Sequence, residues 1–477
     1  MKKTIALILT LCMLLLSACG GGNQTNAGNE PTQPPTDGNP STTEPSVTEP
    51  STTEPRDPSV GLQFDEYEGY CVVTGIGTCT DTDIVIPSTY GGKPVTAIAT
   101  DAFFRKGGIK SVTIPNSVAS IGESAFYACT GLKNIIIPGS VASIGLSAFS
   151  DCTGLTGVTI SNGVTNIGPF AFAGCASLQS ITIPGTVTII GQDAFSSCYG
   201  LKESIISEGV ASISVRAFAY CGSLKSITIP SSVTSIGEEA FRGCNNLTSL
   251  TLSNGVTTIG DNAFFECKSL TSVTVPDSVF SIGKDAFRDC ANLTKVTISN
   301  SITKISAGTF NGCDNLVSVA IPNNVISIGS SAFEGCDNLV SVTIPNSVIS
   351  IDQYAFAYCG NLSSIILPES LASIDMDAFH GCTNLSMIII PDGITSIVRS
   401  VFYGCESLSN ITIPDSVTSI GVSAFSGCNT LINIHFKGSV SQWQNIGKGQ
   451  EWDEFTPDYT IFCTNGQITK DGTVTYK

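Results

Sequence analysis

Charged side chains are scarce in this chain of 477 residues, and basic ones are the scarcer kind. Only 13% of the residues are charged, with 22 Lys and Arg against 39 Asp and Glu, which gives a net charge of −17. Nucleic acid is recognised through clusters of Lys and Arg that neutralise phosphates, and this chain has no surplus of basic residues. The composition therefore argues against nucleic acid as a partner.

Residues that commonly carry catalysis are also few. The chain has two histidines, His380 and His435, and neither has a recurrent Ser or Cys partner. The sequence lacks a Gly-x-Ser-x-Gly elbow, a glycine-rich phosphate loop and a His-Glu-x-x-His motif. Its acidic residues are scattered over turn positions, so none is singled out as a glycosidase pair. We therefore predict no catalytic residue, no metal site and no cofactor.

Long apolar runs are absent apart from one near the N-terminus. Residues 5–16 are apolar, follow two lysines and are too short to span a bilayer comfortably. They lead into Leu-Ser-Ala-Cys, ending at Cys19, which resembles the lipobox of bacterial lipoproteins. The alternative is an ordinary signal peptide with a coincidental Cys. We predict a signal peptide over residues 1–18 and lipidation of Cys19, with acyl chains as the membrane attachment.

Aromatic residues are missing from the next forty positions, and apolar ones are almost missing. The motif Thr-Glu-Pro recurs there every five residues, at 43–45, 48–50 and 53–55. A segment of this composition cannot form a core, and its prolines keep it extended. We predict that residues 19–59 are a disordered stalk that holds the rest of the chain away from the membrane.

What the chain has in abundance is a repeat of 23 residues. Phe recurs at this period in 15 consecutive units over positions 103–425, and Ile does so over 98–420. Cys recurs in 14 units over positions 129–428. A period in this range is typical of a solenoid, in which each coil buries its apolar face against its neighbours.

One unit, beginning at Leu224, reads LKSITIPSSVTSIGEEAFRGCNN. Its first part alternates as a short strand, with Ile227 and Ile229 inward and Thr228 outward, and a Pro ends it. A shorter extended segment, a glycine at a tight bend and a small helical or irregular turn complete the coil. We predict a mainly β, right-handed solenoid of about 15 coils over residues 95–436, with parallel strands about 4.8 Å apart.

The pattern Leu-x-x-Ile-x-Ile-Pro, Val-x-x-Ile-Gly, Ala-Phe-x-x-Cys resembles the BspA-type leucine-rich repeat family over about residues 80–436. The resemblance implies the leucine-rich repeat fold and adhesion to host extracellular-matrix proteins or to other cells. Three residues depart from the pattern and affect local packing. Ser204 stands in an Ile/Val column, and Thr309 and Val401 replace the Ala before Phe.

Both ends of such an array need covering, because a terminal coil exposes its core and its strand edge. Residues 60–94 have strand character and are predicted to form the N-terminal cap. Residues 437–477 hold both tryptophans, Trp443 and Trp452, and are predicted to form a C-terminal cap module. Its closing element is predicted to be a hairpin of residues 459–463 and 473–476.

The repeated cysteines are predicted to be buried, reduced thiols that act as small hydrophobic residues. A ladder offers one thiol per coil, whereas zinc needs four ligands that converge. Neighbouring thiols point in parallel directions, which is poor geometry for a disulfide. Cys71, Cys79 and Cys463 lie outside the ladder, and their redox state stays open.

The outward positions of the first strand are rich in hydroxyl groups. Thr suits an exposed pleated surface, and this explains part of the pattern. A flat, uncharged hydroxyl face also suits contact with a protein or a glycan. The column is more apolar at Ile366 and Ile389, with Met387 nearby, which suits the anchoring of a partner. The candidate ligand face consists of Ser226, Thr228, Ser249, Thr251, Ser272, Thr274 and Thr297.

Taken together, these features predict a lipid-anchored leucine-rich repeat protein on the outer side of a bacterial cell. Its expected partner is a protein or glycan ligand on the cell exterior, and it touches the membrane through the lipid anchor alone. Adhesion or protein–protein interaction is the expected role. Two alternatives stay open, a structural or glycan-binding envelope protein and an exported hydrolase with an unrecognised site.

Overall fold

The computed structural model describes residues 56–477, which form a solenoid of about 17 coils. Each coil has three sides: a strand of three or four residues, a second and usually shorter strand, and a turn segment. Equivalent strands of successive coils pair in parallel and build two stacks. We call these stacks the long-strand row and the short-strand row.

The strands of both rows follow one another at the sequence period. The long-strand row consists of Asp83–Val85, Ser111–Thr113, Asn134–Ile137, Gly157–Ile160, Ser180–Ile183, Glu203–Ile206, Ser226–Ile229, Ser249–Leu252, Ser272–Thr274, Lys295–Thr297, Ser318–Ala320, Ser341–Thr343, Ser364–Ile366, Met387–Ile389, Asn410–Ile413, Asn433–Phe436 and Thr460–Cys463. The short-strand row consists of Cys71–Gly75, Lys93–Ile98, Ser120–Ile121, Ser143–Ile144, Asn166–Ile167, Ile189–Ile190, Ser212–Ile213, Ser235–Ile236, Thr258–Ile259, Ser281–Ile282, Lys304–Ile305, Ser327–Ile328, Ser350–Ile351, Ser373–Ile374, Ser396–Ile397, Ser419–Ile420 and Gly447–Lys448. The strands outside the rows are Gln63–Glu66, Thr89–Tyr90, Gly466–Thr469 and Val474–Tyr476.

The predicted mainly β solenoid is confirmed, and it is longer than the periodic columns indicated. The strand Asp83–Val85 pairs in parallel with Ser111–Thr113, so the predicted N-terminal cap adds a coil. The strand Thr460–Cys463 pairs in parallel with Asn433–Phe436, so the predicted C-terminal module adds another. Both end regions thus extend the ladder of parallel strands and also cover the coils at its ends.

Parallel pairing in register keeps the apolar positions inside. Ile227 lies opposite Leu250, and Thr228 lies opposite Thr251, exactly one period apart in sequence. The rings of Phe241 and Phe264 are fully buried, with centroids 5.3 Å apart and planes within 1°. Because side chains alternate along a strand, this register sends the columns of Ile227 and Ile229 inward and the columns of Ser226 and Thr228 outward.

The turn side is held by backbone hydrogen bonds between coils. The amides of Glu239, Phe241 and Gly243 donate to carbonyls of the next coil over 2.8–2.9 Å. Glu239 and Gly243 have φ values of 54° and 69°, in the left-handed region. Equivalent turn positions repeat this conformation along the array, often with residues other than glycine. The turn is therefore irregular rather than helical, and the one helix within residues 56–477 is Val440–Asn445.

The glycine that follows most short strands fits a narrow space between coils and does not form a left-handed bend. Gly237 lies outside the positive-φ region. A Cβ placed on it would lie 2.6 Å from the carbonyl carbon of Ser214 and 2.7 Å from the nitrogen of Val215. Successive coils thus lie close together at this corner, although Ser214, Asp352 and Asp375 hold the same position in coils whose short strands stay paired.

Both rows are interrupted at the same junction near the C-terminal end. Within residues 56–477, no ladder pairing joins Ser364–Ile366 to Met387–Ile389, or Ser373–Ile374 to Ser396–Ile397. Val398 occupies the close-approach glycine position at this junction. Side-chain size alone does not explain the interruption, because Asp352 and Asp375 occupy the same position in coils whose short strands stay paired.

Each row has a second interruption nearer the middle of the array. The short-strand row breaks between Ser281–Ile282 and Lys304–Ile305, where Ser306 replaces the close-approach glycine. The Ser306 hydroxyl donates to the Ile282 carbonyl over 2.6 Å and bridges the coils. The long-strand row breaks between Ser249–Leu252 and Ser272–Thr274.

The C-terminal module seals the last coil. The carbonyls of Gln450, Trp452 and Glu454 accept the amides of the last turn segment over 2.7–3.2 Å. The helix Val440–Asn445 begins at Ser439 with a capping box and buries Trp443. The aromatic rings of the module meet edge to face, as in the contact between the two tryptophans at 6.3 Å.

The hairpin predicted for the end of the module is wrong in its pairing. Thr460–Cys463 pairs with Gly466–Thr469, which in turn pairs with Val474–Tyr476, so a middle strand separates the two predicted partners. At the other end, Gln63–Glu66 pairs antiparallel with Cys71–Gly75. Ser59 is buried there, and its amide donates to the Val85 carbonyl over 3.0 Å.

Candidate ligand face

The seven residues of the candidate ligand face all lie exposed on the long-strand row. Ser226 lies opposite Ser249, and Thr228 lies opposite Thr251. Thr274 lies opposite Thr297 in the next pair of coils. The structure therefore brings the predicted residues onto one side of the solenoid, in two regular columns.

The face is divided by the interruption in the middle of the long-strand row. The hydrogen-bonded pairing stops after Ser249–Leu252 and resumes at Ser272–Thr274. The candidate face therefore consists of two patches, one around Thr251 and one around Thr274. Lys295 is exposed in the Ser column of the second patch and gives it a positive charge.

The outward hydroxyls of this face are free of the intercoil bonds seen one column away. Thr248 and Thr294 donate through their hydroxyls to carbonyls of the preceding coil, each over 3.0 Å. Within residues 56–477, Thr251 and Thr274 make no such side-chain bond. Their hydroxyls are therefore left to hydrogen-bond water or a ligand.

The apolar stretch predicted further along the row lies over the junction near the C-terminal end, where both rows are interrupted. Ile366 is 79% exposed, Ile389 is 50% exposed and Met387 is 46% exposed. An apolar cavity of about 10 Å³ lies at the same junction, lined in part by Ile374 and Val398. The most exposed apolar residue of the row, Ile366, thus lies at a break in its pairing.

A ladder of asparagine side chains was missed by the sequence reasoning. One Asn precedes the inward Leu in five consecutive coils, so the signal was a column in the sequence. The side-chain amide of each of the last four donates to the carbonyl oxygen of the Asn one coil earlier, over 3.0–3.4 Å. The ladder consists of Asn292, Asn315, Asn338, Asn361 and Asn384.

The cysteine ladder is buried, and its thiols do more than fill space. All 14 donate a hydrogen bond to the Phe carbonyl of the preceding coil, over 3.1–3.4 Å. The view of these residues as small hydrophobic fillers is therefore incomplete. Burial raises the pKa of Cys129 to about 11 and that of Cys198 to about 12. All cysteines of the described segment are free, including Cys71, Cys79 and Cys463.

The two histidines occupy structural surroundings. His380 lies 3.1 Å from the Asp377 carboxylate and stacks on Tyr403. His435 stacks on Phe462 with the ring centroids 5.1 Å apart. Within residues 56–477, no group of three His, Cys, Asp or Glu side chains is placed to hold a metal ion.

Several predictions concern residues outside the described part of the chain. The signal peptide, the lipidation of Cys19 and residues 19–55 of the stalk all lie there. Within residues 56–477, no helix combines the length and the apolar character needed to cross a membrane.

Comparison with known proteins gives consistent matches to leucine-rich repeat proteins. The profile of the BspA type leucine rich repeat region matches residues 96–225, 211–340 and 326–446. A leucine-rich repeat protein from Bacteroides ovatus is 29% identical, with a TM-score of 0.65, over 84% of this chain and 98% of that one. A comparison with curated protein sequences finds no match.

A second solved structure is similar over a comparable length. It is described as a leucine rich cell surface protein from Faecalibacterium prausnitzii. It is 30% identical over 83% of this chain and 99% of that one, with a TM-score of 0.42. Because the repeat profile spans most of the sequence and agrees with the coils observed, the chain belongs to the BspA-type leucine-rich repeat family.

Proposed function

We propose that this protein is a lipid-anchored cell-surface protein that binds ligands outside the cell and mediates adhesion to host matrix proteins or other cells. The observation that carries the proposal is the exposed, hydroxyl-rich face of the long-strand row, repeated once per coil. The description of the Faecalibacterium relative as a cell surface protein supports the location. The candidate lipobox at Cys19 supports the mode of attachment.

Binding on this face would depend on multiplicity. Each coil offers the same small set of contacts around Thr228, Thr251 and Thr274, and no deep pocket is needed. Equivalent contacts that act together on one partner raise the overall affinity far above that of a single contact. Lys295 at the side of the face would orient an acidic partner more than it strengthens binding.

The test is capture of defined matrix proteins by the full chain. Surfaces coated with fibronectin, laminin or collagen are probed with the parent protein and with a Thr251→Lys, Thr274→Lys variant. Both side chains are exposed, so the fold should persist while the flat contact is lost, and capture should fall at least tenfold. A matched control, Thr165→Lys with Thr188→Lys, places the same charges next to the short-strand row.

Two results would count against the ligand face. One is equal capture by the parent and the Thr251, Thr274 variant. The other is equal loss in both double variants, which would indicate a general effect of charge. If deletion of residues 437–477 abolishes capture while the double variant binds normally, the C-terminal module is the binding element.

The anchor is tested by Cys19→Ala in the producing bacterium. Without the thiol, no lipid can be attached, so the protein should leave the detergent phase and appear as a precursor or in the medium. Unchanged partitioning of the variant into detergent would overturn the lipoprotein proposal.

A further inference from the structure

The turn side of the solenoid carries two clusters of the same composition, away from the candidate ligand face. Each member is 138 residues, or six periods of 23, from its counterpart. The first cluster consists of Tyr220, Glu239, Arg242, Gly243 and Phe265. The second cluster consists of Tyr358, Asp377, His380, Gly381 and Tyr403.

In the first cluster, a cationic side chain lies between two aromatic rings. The Arg242 guanidinium is 5.8 Å from the centroid of the Tyr220 ring and 4.9 Å from that of Phe265. The Glu239 carboxylate accepts a hydrogen bond from the same guanidinium. A Cβ on Gly243 would lie 2.8 Å from the Tyr220 ring, so the absence of a side chain there makes room for the tyrosine.

The second cluster repeats this arrangement with different residues. The His380 ring lies 5.1 Å from the Tyr358 ring and 4.8 Å from the Tyr403 ring. Its Nδ1 atom is 3.1 Å from the Asp377 carboxylate. A Cβ on Gly381 would lie 2.9 Å from the Tyr358 ring, so this tyrosine also rests on a glycine of the next coil.

The chemistry is kept although the residues differ. The segments 217–222 and 355–360 are identical. In the rest of the two clusters, Glu and Asp, Arg and His, and Phe and Tyr stand at equivalent positions. A ring, a guanidinium and a carboxylate also meet in the next coil, where Arg288 lies 5.8 Å from the Phe265 ring centroid and pairs with Asp285. The coils between the clusters lack the tyrosine that rests on a glycine of the next coil, and this feature sets the two clusters apart.

We infer that each cluster binds one sugar unit of an extended glycan. Tyr220 is 39% exposed, Tyr358 is 49% exposed and Tyr403 is 39% exposed, so ring surface is available on the turn side. A sugar ring has an apolar face of C–H groups and an edge of hydroxyls. An exposed ring beside a fixed donor and a carboxylate matches both features, as small-molecule sites combine apolar surface with a few placed polar groups.

A protein partner fits these clusters less well than a glycan does. A stable protein interface buries about 800 Å² on each partner, which is far more than one ring and two polar side chains provide. The side chains are also already held by stacking and by the carboxylate, so little conformational entropy is lost on binding. Each cluster is therefore suited to a small, rigid unit.

The spacing of the clusters fits one long chain bound at two points. Six coils at about 4.8 Å each place them on the order of 30 Å apart along the solenoid. A polysaccharide that reaches both gains avidity, whereas a disaccharide can occupy one cluster only. This inference rests on the extracellular location in the proposed function, but it concerns other residues and another class of ligand.

The test is affinity electrophoresis of the full chain through gels that contain a neutral β-glucan, a xylan or mucin glycans. At least one polymer should retard the parent protein. Tyr220→Ala and Tyr358→Ala should each weaken retardation by on the order of 10²-fold through lost avidity, and the double variant should run as in an empty gel. Tyr220→Phe with Tyr358→Phe keeps both rings and should still be retarded.

Tyr199→Ala is the matched control, because Tyr199 is 57% exposed and belongs to neither cluster. Its retardation should equal that of the parent. The inference is overturned if none of the three polymers retards the parent, or if the Tyr220, Tyr358 double variant is retarded normally. It is also overturned if that variant loses capture of a matrix protein while its binding to the polymers is unchanged. If the Thr251→Lys, Thr274→Lys variant captures matrix proteins as well as the parent does, the ligand face is refuted but the inference about glycan binding is unaffected.

Discussion

The effect of a substitution in this solenoid depends on the column to which the residue belongs. Phe264 stacks between the rings of Phe241 and Phe287, with centroids 5.3 Å away on both sides, and is fully buried. Thr274, on a neighbouring coil, points to solvent. The same alanine replacement therefore removes a core contact in one case and an exposed methyl and hydroxyl in the other.

We expect Phe264→Ala to lower the free energy of unfolding by about 3–5 kcal/mol, because a large buried side chain leaves a cavity. Thr274→Ala should change it by less than about 0.5 kcal/mol, as is usual for surface positions. Urea unfolding followed by circular dichroism measures both. Equal, small effects would contradict the inward position of Phe.

The buried thiols predict a loss of stability at high pH. An unfolded Cys has a pKa of about 8.5, whereas Cys129 and Cys198 are raised to about 11 and about 12 by burial. Between these values the unfolded chain binds fewer protons than the folded chain, so the free energy of unfolding falls as pH rises. The stabilising effect of each buried thiol is complete below about pH 8.5. Above that pH, and up to the pKa of the folded state, each thiol lowers the free energy of unfolding by about 1.4 kcal/mol per pH unit.

Thermal melts between pH 7 and pH 11 test this, with Cys244→Ala, Cys267→Ala as the comparison. The double variant is expected to be less stable than the parent at pH 7. Between pH 7 and pH 10.5, its melting temperature should fall by less than that of the parent. Parallel pH profiles for the parent and the variant would show that these thiols do not titrate as described.

At the residue scale, the sequence predicted the burial of residues that recur at the fixed period. Columns of Phe, Ile, Leu and Cys repeat without exception or nearly so, and burial follows from their regularity. The reason for the glycine at Gly237 was not readable, because it depends on the distance to Ser214 in the neighbouring coil. The left-handed conformation of Glu239 was hidden for the same reason, since bonds between coils impose it.

At the scale of one element, the coil around residues 387–402 differs from the others. Its long strand Met387–Ile389 and its short strand Ser396–Ile397 both lack pairing with the preceding coil. Val398 and Val401 fill positions that hold glycine and alanine in most coils. The two coils stay joined on the turn side, where the amides of Phe379 and Gly381 donate to the carbonyls of Val401 and Tyr403.

We expect this coil to exchange its amide hydrogens faster than a regular one. Backbone amides that lack a partner in the ladder can exchange without the breaking of a hydrogen bond. Their protection against hydrogen exchange is therefore lower. Hydrogen–deuterium exchange of peptides over residues 387–398 should exceed that of residues 226–237, which serve as the regular control. Equal protection of the two segments would show that the junction is as tight as the rest.

The elements themselves were largely predictable, because strand alternation, Pro and Gly mark every unit. The interruptions were not, although Val401 was recognised as a departure from the pattern. A single altered column does not show whether a neighbour compensates: Ser306 replaces a glycine and restores a contact through its hydroxyl, whereas Val398 does not. The three-stranded end of the C-terminal module was also missed, because its middle strand Gly466–Thr469 is short and polar.

At the scale of the whole molecule, the described chain is a one-dimensional stack. Each coil contacts its neighbours, and the two end regions continue the ladder as extra coils before they close it. Stability in such an array is close to a sum over coils and their junctions, so local damage stays local. A long, regular surface is the consequence, and both the ligand face and the two turn clusters depend on it.

Side-chain footprinting of the full chain, alone and bound to a captured matrix protein such as fibronectin, tests the central proposal most directly. We expect the ligand to protect the segments Ser226–Ile229, Ser249–Leu252 and Ser272–Thr274 and to leave the short-strand row unchanged. Protection confined to residues 437–477 or to the turn side, with those three segments as reactive as in the free protein, would contradict it.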